Sequence, residues 1–402
     1  MEPRRIVIVG TMASLPYAGM AWMTMQIVVG LRRIGHDVYY FETTSTWPFD
    51  PVQNTREGDG AYALSYLVQL AERFDLKDRW AYRRSYSDKQ WFGLARSRAE
   101  ELLAKADAVL NIAGATRFAE EELRVGRLIY FGTDPVIHEI SYASGSEETR
   151  QIIDEHDDVV TYGENIGRLD CPIPALPRLR ARTRQPILLD HWAAGPSRRS
   201  EFTTVCNWRQ GGRDVHFRGK TFHWSKHLEF LKFIELPLRV REPVELAMGL
   251  VGPITHGPGE AVPALGLFAD ELSLLQTNCW KLADAHCFST DPWAYRDYIV
   301  SSRGEFTVAR DLNVRLRSGW FSERSACYLA AGRPVITQDT GFGTVLPTGE
   351  GLFAFTTLEE IVEAFETIRS DYDKHSRAAR AIAEEYFRAE SVLIKLLQDL
   401  GL

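Results

Sequence analysis

Ser318-Gly-Trp-Phe-Ser-Glu-Arg-Ser-Ala-Cys-Tyr-Leu-Ala-Ala-Gly-Arg-Pro-Val-Ile-Thr-Gln-Asp-Thr-Gly-Phe-Gly343 is the stretch on which the fold assignment turns. Ser322 suits a helix N-cap, because its hydroxyl can take up an orphan amide of the first turn, and Glu323 suits the positive end that follows. The helix runs to about Ala331, Gly332 provides a left-handed stop, and Pro334 cannot continue it. Val335, Ile336 and Thr337 are β-branched and read as a buried strand. With 312–317 read as the preceding strand, the order is strand, helix, strand, one right-handed crossover of a parallel sheet. Open α/β sheets hold ligands beyond the carboxyl ends of their strands, and a helix N-terminus facing that edge suits a diphosphate.

The same alternation recurs on both sides. Towards the N-terminus, 5–10 is a buried strand ending in glycine, 19–33 has helical spacing, and 37–42 is a second strand. Glu42 falls where an acidic ribose ligand of a dinucleotide fold would lie. However, the turn from Gly10 to Gly19 lacks the close glycine trio that lets a backbone approach a pyrophosphate, which argues against NAD or FAD. Further strands at 108–114, 127–132 and 159–163 bring Asn111, Thr133, Asp134, His138, Glu164 and Asn165 to one sheet edge. Asp134 or His138 there could act as a general base, although Asp134-Pro135 is also an ordinary turn pair. The polar and aromatic region 47–100 admits a reading as a ligand-binding insertion.

Prolines cluster between 171 and 196 and mark a domain boundary. Beyond it, 202–207 is strand-like, 214–221 a hairpin about Arg218-Gly219, 225–234 a helix, 244–251 a strand and 252–266 a loop carrying His256. A helix over 295–308 and two terminal helices, 358–369 and 378–400, complete the second half.

The 402 residues are enough for two cores, and 45% hydrophobic with 25% charged residues is globular usage. A net charge of −7 offers no footprint for a nucleic-acid backbone. Five scattered cysteines without a Cys-x-x-Cys pair suggest neither a zinc site nor a disulfide framework. With no apparent signal peptide or membrane-spanning run, the expectation is a cytoplasmic chain.

The run Gly-Trp-Phe-Ser, followed by Ala-Cys-Tyr-Leu-Ala-Ala-Gly-Arg-Pro-Val-Ile-Thr, resembles the donor-site signature of GT-B glycosyltransferases. The opening strand, glycine-containing loop and helix ending in Leu-Arg-Arg-Ile-Gly-His-Asp-Val are similar to the start of the GT-B acceptor domain. The resemblance implies an α/β fold of two Rossmann-like doubly wound parallel-sheet domains facing across a cleft. It places an acceptor domain at 1–185, a donor domain at 186–375, and a terminal helix at 376–402 returning to the first domain. Its implied co-substrate is a nucleoside-diphosphate sugar, used with a small-molecule or glycan acceptor and with no bound metal or tightly held cofactor. Donor contacts would come from Lys226, with Lys220 as runner-up, and from Ser318, Gly319, Ser322, Arg324, Ser325, Asp339, Thr340 and Gly341. Tyr17, Gly19 and Trp22, with Pro16, would face the acceptor, although Trp22 could equally pack on the sheet. Many retaining members carry two glutamates around this loop, but Gly319 and Cys327 stand at those positions here. Glu323 is the candidate to take over one of their roles, beside Asp134 and His138. An epimerase on the same fold and a non-catalytic nucleotide-sugar or carbohydrate binder are the alternatives.

Overall fold

The structure, a computed structural model, describes residues 2–56, 58–249 and 269–402. Two sheets organise them. The first has eight strands in the order Leu179–Arg182, Asp158–Thr161, Leu128–Gly132, Ala108–Ile112, Arg5–Val9, Asp37–Glu42, Trp80–Arg83 and Trp91–Gly93. Every neighbouring pair is parallel except the last. The second has six parallel strands in the order Lys281–Asp284, Val244–Gly249, Phe202–Asn207, Gly304–Thr307, Val335–Gln338 and Leu352–Phe355. Parallel strands are covered on both faces, so the central ones read as unbroken apolar runs, and Ile6, Val7, Ile8 and Val9 are all fully buried.

The decisive crossover differs in detail from its sequence reading. Residues 312–317 are not a strand. The strand is Gly304–Thr307, and the chain then forms a short helix, Asp311–Arg315. Leu312 and Leu316 satisfy both an alternating pattern and an i, i+4 pattern, and the Asp311 to Arg315 ion pair at 3.0 Å fits the helical one. The helix expected over 295–308 is Pro292–Ser301, started by Pro292 and by Asp291, whose carboxylate accepts from Trp293 N and Ala294 N. The hairpin about Arg218-Gly219 is present, with both residues at positive φ. The helix expected over 225–234 reduces to His227–Leu231, with Lys226 as its N-cap. The loop containing His256 lies outside the described residues.

Residues 47–100 complete the first sheet through the Ala61–Arg73 helix, two strands and the Arg96–Ala104 helix, so most of this region is fold rather than insertion. The terminal helix expected over 378–400 is two helices, Tyr372–Ile382 and Ala389–Leu400, separated by a π turn. The break lies where the linker joins it: Ile187 N donates to Phe387 O, and Ala389 N donates to Ile187 O. Ala389–Leu400 then packs on the Ala18–Arg33 helix, with Gly30 leaving room for Ala389 and Leu393. No helix among the described residues is long and apolar enough to cross a membrane.

Two apolar clusters join the halves. One gathers Trp22, Trp192 and Trp293 with the Glu323–Ala330 helix. The other sets Val136, Ile140 and Ile166 from the first half against Val215, Phe222, Trp224, Leu312 and Leu316 from the second.

Candidate functional site

Three cations converge past the carboxyl ends of the second sheet. Lys226 is 7% exposed, and burial first, then the nearby Arg324 and Arg310 guanidinium groups, lower its pKa to about 7. Among the described residues no carboxylate lies within ion-pair distance of its ammonium. Arg324, in the first turn of the Glu323–Ala330 helix, is held from three sides. Its Nε donates to Glu305 Oε1 at 2.6 Å, Nη1 to Val205 O at 2.6 Å and Nη2 to Thr307 Oγ1 at 3.0 Å. Arg310 stacks over Trp224 at 3.5 Å and donates to Asp134 Oδ1 across the two halves at 2.7 Å. Its Nε is buried without a partner among the described residues, as are Ser325 Oγ and Glu305 Oε2. A buried ammonium with no carboxylate at ion-pair distance among the described residues, close to two guanidinium groups, is suited to an anion.

The helix that contributes Arg324 begins at Glu323 with Ser322 in extended conformation, as a cap requires, but the Ser322 hydroxyl makes no capping bond. Ser322, Glu323 and Arg324 are only partly buried, so the helix entrance is accessible. The rest of the predicted donor loop is tied down. Ser318 Oγ donates to Asn313 Oδ1, Gly319 N to Thr340 O, and Thr340 Oγ1 to Trp320 O. Asp339 accepts from Gly341 N and pairs with Arg317. Asn165 of the first half clamps this loop: its Nδ2 donates to Arg317 O and Gly341 O, its Oδ1 accepts from Thr344 Oγ1, and its backbone N donates to Ser318 O. Ser318, Gly319, Asp339, Thr340 and Gly341 therefore shape the loop, with much of their hydrogen-bonding capacity spent inside the protein. Gly341 has φ +86° and a Cβ there would lie 2.6 Å from Asn165 Nδ2, so Gly341→Ala is expected to destabilise the fold by about 1–3 kcal/mol. Gly343→Ala, whose Cβ would meet only Thr348 Cγ2 at 4.0 Å, serves as the neutral control in a denaturant titration.

Glu323 is joined to Gln26, a buried hub. Gln26 Nε2 donates to Glu323 Oε1 at 2.7 Å, and its Oε1 accepts from Leu188 N and Trp192 Nε1. Cys327 Sγ lies 3.3 Å from the same carboxylate oxygen. Burial pushes the Glu323 pKa up to about 7, so near neutrality it can either accept or donate a proton.

On the first half, Asp134 is exposed and faces Arg310, and Trp320 Nε1 donates to the neighbouring Thr133 O. Two residues on, Val136 has φ +98°, a strained setting for a β-branched side chain, and Glu139 accepts from its backbone N. His138 points elsewhere: it hydrogen-bonds Tyr130 through Nδ1, and burial, then Arg213, lowers its pKa. Tyr17 stacks on Phe49, and burial raises its phenol pKa to about 12. Gly19 lies beside the Tyr295 hydroxyl. Trp22 is fully buried among Phe74, His191, Trp192 and Trp293, with its Nε1 donating to Pro292 O, so it belongs to the junction rather than a cleft wall. Its helical spacing marked it as inward-facing without revealing that a second half covers it. Lys220 is exposed on the hairpin. Arg310, Asn165 and Gln26 are roles the sequence reading missed. An arginine three residues after a strand carries no motif, and the other two act across the halves. Among the described residues no group of three or more His, Cys, Asp or Glu side chains is placed to hold a metal.

No protein-family model matches the sequence, and no curated protein matches it. Solved structures do match in fold. Anabaena HepE, in complex with UDP and glucose, aligns over 99% of each chain with a TM-score of 0.53 and 12% identity. An α-glucosyltransferase in complex with UDP and a 13-mer DNA aligns over 100% of both chains with a TM-score of 0.59 and 10% identity. Sucrose-phosphate synthase from Thermosynechococcus elongatus covers 98% of this chain and 97% of its own, with a TM-score of 0.53 and 13% identity. The chain has the GT-B fold.

Proposed function

We propose that the protein transfers a sugar from a nucleoside-diphosphate sugar to an acceptor held by the first half. The observation that carries this reading is the buried Lys226 ammonium, which has no carboxylate within ion-pair distance among the described residues and is close enough to Arg324 and Arg310 for both to lower its pKa. A diphosphate supplies the missing charge, and the helix amides and three cations would stabilise it as leaving group without a bound metal. UDP bound to structures of the same fold supports uridine as the first base to try. Glu323 would accept hydrogen bonds from ribose or sugar hydroxyls.

Asp134 would receive the acceptor's proton: it projects from the first half and touches, through Arg310, the cation cluster of the second. Asp134→Asn is expected to lower kcat by about 10²–10⁴-fold while changing UDP affinity far less. Nucleotide release in the presence of an acceptor panel, alongside UDP titration, provides both readouts. Unaltered kcat would remove Asp134 from the reaction.

The absence of the paired glutamates favours one second reading, a binder that does not turn over. Cys327, at one of those positions, is fully buried against Glu323. Incubation with a panel of nucleotide sugars, with and without acceptors and chelator, separates transfer, conversion of the sugar alone, and binding without turnover. Chelator-sensitive transfer would overturn the metal-free part of the proposal.

A further inference from the structure

The turn that carries Asp134 is held in a conformation its own sequence disfavours. Pro135 fixes its own φ and restricts the residue before it to extended backbone, so Asp134 and Pro135 have little freedom to bend. The change of direction between the Leu128–Gly132 strand and the helix Ile137–Ala143 therefore falls on Val136, which stands at φ +98° and ψ −50°. A β-branched residue stays in that region when its surroundings over-determine it.

Two sets of contacts do so here. From the second half, Trp320 Nε1 donates to Thr133 O at 3.1 Å and Arg310 Nη1 donates to Asp134 Oδ1 at 2.7 Å. The fully buried Val136 side chain joins Phe222, Trp224, Leu312 and Leu316 in one apolar cluster. From the first half, Glu139 reaches back to the start of its own helix, and its Oε2 accepts from Val136 N at 2.7 Å. Glu139 is only 4% exposed, and among the described residues no Lys, Arg or His nitrogen lies within ion-pair distance of it. A buried carboxylate so placed costs stability that an apolar side chain would not, and what it secures is the Val136 amide.

We propose that Glu139 is a positioning residue for Asp134. Its hydrogen bond holds Val136 at positive φ, and because Asp134 and Pro135 move as a stiff pair, that one angle decides whether the Asp134 carboxylate reaches Arg310 across the seam. Without the acceptor, Val136 relaxes to negative φ and swings the pair away. The aim of Asp134 stands by itself; its use on an acceptor proton rests on the transferase reading.

Crystal structures of the full chain carrying Glu139→Met or Glu139→Gln, with UDP titration and nucleotide release from UDP-glucose over an acceptor panel, provide the test. Glu139→Met keeps the side-chain length and removes the acceptor. The contact between Asp134 and Arg310 should be lost and kcat should fall about 100-fold, while UDP affinity stays the same or rises as Arg310 is released. Glu139→Gln retains a carbonyl acceptor, so it should keep the contact and hold kcat within about threefold. Adding Val136→Gly to Glu139→Met should restore the contact in part, because glycine holds φ +98° without strain. A contact that survives in Glu139→Met, equal losses in both Glu139 variants, or kcat and UDP affinity falling together would each overturn the proposal. Should Glu139→Met fail to fold, Val136→Gly alone decides: Glu139 should still hold the turn, and a lost contact would place the aim in the valine side chain instead. A lost contact at unchanged kcat keeps the positioning and sinks Asp134 as the base. Absent turnover in the unaltered protein sinks the transferase reading, and the structures then decide the positioning.

Discussion

Replacing Lys226 with methionine is expected to weaken UDP binding by about two to three orders of magnitude while making the empty protein more stable. The two effects have opposite signs for one reason. With no ligand, the ammonium is desolvated and faces Arg310 and Arg324, so an apolar side chain of similar length relieves a cost. With the diphosphate in place, the same ammonium completes a buried charge pair, and deleting one partner of such a pair costs about 3–5 kcal/mol. A titration with UDP and a denaturant midpoint, measured on both proteins, check the two directions. If affinity were unchanged, the phosphates would have to lie elsewhere and the proposed donor site would be lost.

The pH dependence follows from the same group. Lys226 titrates near 7 in the folded, empty protein against an ordinary value of 10.5, so between these values the unfolded chain binds the extra proton. The stability of the empty protein should therefore rise with pH across that window, and Lys226→Met should lose this slope. UDP affinity runs the other way. The diphosphate selects the protonated ammonium, so affinity should fall by up to tenfold per pH unit above about 7.

Arg324→Met should destabilise the second half by about 3–5 kcal/mol. Glu305 is fully buried, its Oε2 has no partner among the described residues, and the variant would leave its other oxygen unpaired as well. Burial opposes the charge on Arg324, yet Glu305, together with Tyr295 and Cys206, more than offsets it, so the pKa of Arg324 is raised rather than lowered. The same guanidinium links two neighbouring strands through Val205 O and Thr307 Oγ1, so its loss also frees hydrogen-bonding groups at the base of the site. Denaturant unfolding provides the readout, and adding Glu305→Leu to Arg324→Met should recover part of the loss by removing the stranded carboxylate. An unshifted midpoint in the single variant would mean that the pair contributes nothing to the fold. Loss of UDP binding at preserved stability would instead mark Arg324 as chiefly a ligand contact.

Much of the site's framework follows from local chemistry. Gly332 and Pro334 end a helix in any context, β-branched residues at 335–337 favour a strand, and Arg218-Gly219 makes a tight turn, so these elements are legible from neighbouring residues alone. Lys226 was legible as a cation following a strand. That no carboxylate among the described residues pairs with it was not, because this depends on what Glu305, Arg310 and Arg324 do from three other segments. The short helix at Asp311–Arg315 was read as a strand because Leu312 and Leu316 fit both periodicities, and tertiary burial against Phe222 and Trp224 decided between them.

By itself, then, the sequence determined two α/β halves, the helix that begins at Glu323 and its stop at Gly332 and Pro334, since helix stops and apolar periodicity act over a few residues. The tertiary structure decided that Trp22 is junction core, that Asn165 and Gln26 join the halves, and that Asp134 meets Arg310. Each of these depends on desolvation and pairing between segments more than a hundred residues apart, and no local pattern encodes which buried groups will find partners.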